Sequence, residues 1–202
     1  PSIVVGTSSA ALMAGQTATL SFTLSEASTN FVVGDITATG GTLSGFAGSG
    51  KNYTATFTPT ANSSSTASIS VASGVLTDAA GNPNTAGSAL SIDVDTAVPT
   101  VTGISSTTAD GLYGLGAVVN VTVTFSEAVT VNTASGTPTL TFKYTVQAGD
   151  SSADLNHQGS TALVLNSGTI KDAAGNAATL TLPAIAAGTS GALATNKALV
   201  ID

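Results

Sequence analysis

Apolar residues recur at every second position in several short runs: Leu20, Phe22 and Leu24; Tyr53, Ala55 and Phe57; Val119, Val121, Val123 and Phe125; Leu140, Phe142, Tyr144 and Val146. Their partners are mostly Thr and Ser. A period of two sends alternate side chains to opposite faces, so each run predicts a strand with one face in a core and one in water. No segment carries an apolar stripe at helical spacing. Gly40, Gly41, Gly45, Gly48 and Gly50 break the runs at hairpin-like intervals, and β-branched residues dominate between the breaks. The expected class is all-β, built from antiparallel sandwiches whose sheets cover each other's apolar faces.

The pattern occurs twice. Ser25-Glu26-Ala27 followed by Asp78-Ala79-Ala80-Gly81-Asn82 returns as Ser126-Glu127-Ala128 followed by Asp172-Ala173-Ala174-Gly175-Asn176. Two matches in one order, about a hundred residues apart, indicate a tandem repeat. Two domains are therefore expected, at residues 1–95 and 96–202. The boundary falls where a strand built on Leu90, Ile92 and Val94 ends and another begins near Val101. Between them Pro99 cannot donate to a ladder and holds Val98 extended, which predicts a short, stiff joint. The repeats differ in the middle. The second has no counterpart of the Gly-rich hairpin Thr42 to Phe57 before its Leu140 to Val146 strand, and instead carries an Ala/Gly-rich stretch from Pro183 to Asn196. A missing hairpin leaves a sheet edge open to another strand.

Composition narrows the function classes. Charged residues are 7% of the 202, and four lysines against eleven acids leave a net charge of −7. That balance repels phosphate backbones, so nucleic acid is not an expected partner, whereas metal cations are natural counter-ions. Cysteine is absent, which removes disulfides, thiolate metal sites and a thiol nucleophile. No stretch approaches the roughly 20 apolar residues of a membrane span, and there is no basic and apolar leader; membrane insertion is not expected, and the chain reads as a piece of something longer.

Four elements taken together resemble bacterial immunoglobulin-like repeats, which build the extenders of very large surface adhesins and related cell-envelope proteins. These are Thr-Phe-Ser-Glu-Ala-Val at Thr124 to Val129, an Asp-Gly-x-Tyr-x-x-Gly turn at Asp110, Gly111, Tyr113 and Gly116, Ile170 to Asn176, and an Asp-x-x-x-Pro joint from Asp95 to Pro99. The resemblance covers nearly the whole chain. It implies two tandem immunoglobulin-like β-sandwiches of seven strands, strung end to end with neighbouring repeats as partners and often with calcium at the joints, in an extracellular, cell-surface setting. The first repeat departs by having Ala11 to Gly15 where the Asp-Gly-x-Tyr turn is expected, and the second is short by a hairpin.

In such a topology the loops after the second strand and before the last strand share the pole where the chain arrives. Glu127 is expected in the first loop, Asp172 and Asn176 in the second, with Asp93 and Asp95 arriving from the preceding domain. Calcium takes six to eight oxygens from carboxylates, amides, carbonyls and water, which this set offers. Glu26 and Asp78, with Asp35, form the matching set of the first repeat. The same residues also suit plain turns: Asp accepts backbone N–H bonds and Gly-Asn supplies left-handed positions without any metal. Asp110 is a further candidate for a following joint.

Other candidates read as ordinary loop residues. His157 lies in a polar stretch with Asp150 and Asp154 and has no fixed partner in sight. Asn52, Asn62 and Asn120 match a glycosylation sequon of a kind that Thr/Ser-rich chains contain by chance. Lys51 and Lys143 lack an acid-lysine-asparagine pattern for an isopeptide cross-link. The functional expectation is a structural stalk or extender segment of a secreted or surface-attached bacterial protein. The alternatives are a subunit of a filament joined by homotypic strand addition, and a glycan-binding module, against which stand the absence of Trp and the scarcity of other aromatics. No nucleophile-base-acid set or cofactor loop points to an enzyme.

Overall fold

In the computed structural model, residues 1–132 and 134–202 are described, and the chain divides into two compact units, Pro1–Ala97 and Val98–Asp202. The first unit holds strands β1 (Ile3–Thr7), β2 (Ala11–Met13), β3 (Ala18–Ser28), β4 (Ile36–Thr39), β5 (Gly41–Pro59), β6 (Ser64–Val71) and β7 (Leu90–Asp95). They form two sheets, ordered β1-β3-β5 and β2-β7-β6-β4. All pairs are antiparallel except β2 with β7.

The period-two runs explain this sandwich. Leu20, Phe22 and Leu24 of β3 and Tyr53, Ala55 and Phe57 of β5 are buried, as are Ile69 and Val71 of β6 and Ile92 and Val94 of β7. Phe31 closes one end, its ring edge-on to Phe22 at 5.7 Å and to Tyr53 at 5.1 Å. The long element β5 doubles back on itself. A side chain at Gly41 would strike Thr58 and Phe57, one at Gly48 would lie 2.3 Å from the Asn52 carbonyl oxygen, and Phe46 stacks on Tyr53 at 5.7 Å. Residues that far apart along an extended strand cannot touch, so the Gly-rich half lies beside the aromatic half as the hairpin expected from sequence.

The second unit is built differently. Its main sheet has β10 (Val118–Val131) at the centre, paired antiparallel with β8 (Val101–Ser106), β11 (Ala134–Thr145) and β12 (Ile170–Lys171). The opposing layer is reduced to a parallel pair, β9 (Gly111–Tyr113) with β13 (Leu199–Ile201), and one bridge from Ser152 to Ile201. Irregular backbone supplies the rest of the cover, with Leu182 and Leu193 buried against Ile104, Val119, Val123 and Phe125. The Ala/Gly-rich stretch contains one helical turn, α1 (Leu193–Asn196). Among the described residues no helix is long and apolar enough to cross a membrane.

The alternation expected from Leu140 to Val146 holds only in part. Val146 is buried just past the end of β11, Leu140 and Tyr144 are half-buried, and Phe142 remains 44% exposed. Residues 146–169 form loops rather than strands, so the layer that would cover Phe142 is incomplete. Phe57→Ala is therefore expected to cost the first unit about 3–5 kcal/mol, and Phe142→Ala no more than about 1 kcal/mol, because only the first opens a closed cavity. Urea unfolding of the two variants checks the contrast.

Candidate metal centre

Both repeats place a bulge in the strand that carries Ser-Glu-Ala. In β3 the pairing with β5 skips from Thr23 to Ser28, and in β10 the pairing with β11 skips from Thr124 to Val129. Glu26 and Glu127 therefore lie within long strands at a register break, not in the loops expected for them. The unpaired residues turn toward other partners. Ser25 N–H donates to the Ser2 carbonyl at 3.0 Å and its Oγ accepts from Ser2 N–H at 2.9 Å. Ser126 repeats the clamp on Thr100, at 2.8 Å and 3.0 Å. Each serine thus pins the start of its unit beside the neighbouring glutamate. Sequence reasoning missed this role, although a serine preceding the repeated Glu in both motifs was the available signal.

The Asp-Ala-Ala-Gly-Asn segments fold into the same turn twice. Asp172 Oδ1 accepts from the N–H of Gly175 at 2.7 Å and of Asn176 at 2.8 Å, and Oδ2 accepts from Asn176 Nδ2 at 2.7 Å. Asp78 Oδ1 accepts from the N–H of Ala80 and Asn82 at 2.9 and 2.8 Å, and Oδ2 from Asn82 Nδ2 at 2.9 Å. Asp172 and Asn176 are buried, at 6% and 3% exposure, whereas the Asp78 carboxyl is solvated. The turn chemistry is thus structural in both units.

In the second unit one oxygen of Glu127 and one of Asp172 lie within 4.8 Å of each other. In the first unit the Glu26 side chain is a hydrogen-bond neighbour of the Asp78 carboxyl. A carboxylate offers about four lone-pair positions, and the turn uses three on Asp172, so an oxygen lobe remains for a cation. The donors are all hard oxygens, which fits Ca²⁺ or Mg²⁺ rather than a soft metal. Asp95 ends β7, where its Oδ1 accepts from Ser64 Oγ at 2.8 Å and from Ala97 N–H at 3.3 Å. Asp93 sits exposed midway along β7 and faces Thr66, at 3.5 Å from its hydroxyl, not at the strand end with Asp95.

Residues 1–94 match the family model of a bacterial Ig-like domain. The first unit is a bacterial Ig-like domain. No curated protein gives a significant match. Among solved structures, the Yersinia pseudotuberculosis adhesin InvE aligns at 21% identity with a TM-score of 0.34, covering 86% of this chain and 48% of that one. The chain spans about half the length of that adhesin structure, and the superposition is too loose to place residues.

The remaining candidates are tied into structure. In the Ig-like domain Asp35 Oδ2 accepts from Val32 N–H at 2.9 Å and caps a single 3₁₀ turn, and Lys51 Nζ donates to the Ser25 carbonyl at 2.8 Å. Asn52 and Asn62 are exposed, but Asn120 is half-buried in β10. In the second unit Asp110 pairs with Lys197 Nζ at 2.8 Å and accepts from Ala198 N–H, so it closes the β9–β13 layer. Asp150 accepts from Tyr144 Oη at 2.5 Å and from Gln147 N–H at 2.8 Å, and Asp154 from Leu199 N–H at 3.2 Å. His157 is half-buried rather than an exposed loop residue, its Nε2 bonded to the Pro183 carbonyl at 2.8 Å. Lys143 is exposed on β11.

The Asn82 side-chain amide, followed by the N–H groups of Asn82 and Ala80, holds the Asp78 carboxyl below its ordinary range. A carboxyl depressed on folding stabilises above its unfolded value near 3.9, and that contribution is lost as pH falls through the folded value. Asn82→Ala should raise the Asp78 titration in carbon-detected NMR and remove part of the acid-sensitive stability of the Ig-like domain below about pH 4. A pH–stability curve unchanged by the substitution would contradict the assignment.

Proposed function

We propose that this chain is a structural spacer segment of a protein displayed outside a bacterial cell, in which a calcium ion stiffens the linker where it meets the second unit. The Ig-like domain supports the general class. The Glu127–Asp172 pair carries the specific reading, because two carboxylates within 4.8 Å of each other offer a cation several hard oxygen ligands at once. Asp95 is the third proposed ligand. The linker is anchored at both ends within its units: Thr96 donates to the Thr60 carbonyl at 2.6 Å and accepts from Ser63 N–H, while the Pro99 carbonyl accepts from Thr179 N–H and Thr100 is clamped by Ser126. Only Ala97 and Val98 lie between those anchors, so the tether that follows Asp95 is short.

The mechanism is electrostatic and then mechanical. On this reading the uncompensated carboxylates repel, and a shared cation removes freedom from the segments that carry them. Extracellular calcium modules bind at roughly 10⁻⁴–10⁻³ M, so a site of this kind fills in calcium-rich surroundings. We read the chain as non-catalytic: its one histidine is bonded to a carbonyl through Nε2, and Asp172 and Asp78 are held in turns.

Calcium at about one hundred times its dissociation constant should stabilise the second unit by about 2.7 kcal/mol. It should also lengthen the particle in small-angle scattering. Glu127→Gln and Asp172→Asn should each diminish the stabilisation, whereas Asp154→Asn and His157→Ala should leave it in place. Melting and scattering curves that do not respond to calcium or chelator would overturn the metal reading, and equal effects from all four substitutions would relocate the site.

A further inference from the structure

We propose that β11 pairs with β11 of a second molecule, antiparallel about a twofold axis at Phe142. In the first unit the aromatic half of β5 pairs with β3 on one side and is flanked on the other by its own Gly-rich half. The strand in the matching position of the second unit, β11, pairs with β10, and among the described residues no strand flanks its other side, because the hairpin is missing from this repeat. The first unit therefore shows what this edge accepts: an antiparallel strand.

Hydrogen bonding identifies the open side. Val146 N–H donates to the Ala117 carbonyl, and the β10–β11 register is continuous from Val118↔Thr145 to Thr124↔Thr139. Alternation along the strand then turns the backbone groups of residues 140, 142 and 144 toward β10 and those of residues 139, 141, 143 and 145 outward. The Thr139 carbonyl accepts from Thr137 Oγ1 and the Thr145 carbonyl from Gln147 Nε2. Among the described residues no hydrogen bond reaches the outward groups of Thr141 and Lys143.

The register follows from self-complementarity. With the axis at Phe142, Thr141 of each molecule exchanges hydrogen bonds with Lys143 of the other, and Thr139 with Thr145. An axis at Lys143 would instead set like charges opposite each other. The chosen register places the two exposed Phe142 rings side by side, next to a cavity of about 280 Å³ between Leu140–Phe142 and Leu163–Leu165, where Val164 and Leu165 are also exposed. A second molecule thus supplies the apolar side chain that the incomplete layer lacks. Pro138, just beyond the edge, limits the ladder to seven residues. A twofold contact uses the same edge on both molecules and closes, so it yields dimers rather than an open filament. Seven residues span about 24 Å, and the contact falls below the roughly 1,200 Å² of a standard interface, so the association is weak and transient.

Sedimentation equilibrium of the whole chain up to about 1 mM, in chelator and at about 0.15 M salt, tests this. A monomer–dimer equilibrium is expected. Thr141→Glu should tighten it roughly twofold to thirtyfold, because the new carboxylate on each molecule lies across the contact from Lys143 of the other, while Thr141→Lys and Thr141→Pro should weaken it. Thr141 is exposed, and circular dichroism verifies that each variant folds. Because the chain has no cysteine, Phe142→Cys should form a disulfide dimer on mild oxidation and Thr137→Cys should not. A monomer at 1 mM for both the parent chain and Thr141→Glu would overturn the proposal. So would a dimer indifferent to every substitution at position 141.

Discussion

A single register break in the second long strand of each repeat organises most of what lies at the pole where the chain arrives. A continuous ladder would commit Ser25 or Ser126 to the neighbouring strand and aim the following glutamate away from its partner turn. The bulge frees the serine and the glutamate together: the serine clamps the incoming strand through both its N–H and its Oγ, and the glutamate meets the aspartate-closed turn. Losing a few ladder bonds is tolerable because the clamp returns hydrogen bonds of similar worth. The acidic pair is therefore a consequence of strand geometry.

The two units solve the same burial problem with different resources. The Ig-like domain has two complete sheets, and the hairpin of β5 protects the strand that would otherwise form its edge. The second unit keeps a full central sheet but covers it with one parallel pair, a helical turn and loops pinned by side-chain bonds such as Asn196 Nδ2 to the Ile104 carbonyl and Asp154 to Leu199 N–H. Polar side chains there replace ladder hydrogen bonds in satisfying backbone groups. With charged residues so scarce, turn carboxylates, hydroxyls and a few Asn side chains carry work that ion pairs do elsewhere.

Much of this was legible in the chain. Period-two runs marked β3, the second half of β5 and β10, and the repeated Ser-Glu and Asp-Ala-Ala-Gly-Asn motifs marked both poles, because strand alternation and Asx-type turns are local properties. The place of Glu127 within a strand was not legible, since a bulge is a mismatch between two strands and neither strand's own pattern records it. Nothing local marks the partner of His157, because the Pro183 carbonyl lies 26 residues further along.

By itself the sequence determined the all-β class, the twofold repetition, the place of the joint near Pro99 and the oxygen-rich, thiol-free character of any metal site. Each follows from residue type and short spacing. Only the tertiary structure decided that Glu127 reaches Asp172 from a register break within a strand rather than from a loop, that Asp93 faces Thr66 along the sheet, and that Phe142 stays uncovered. Those outcomes depend on which strands become neighbours and where their register slips, and both are settled by burying the two cores rather than by any local preference.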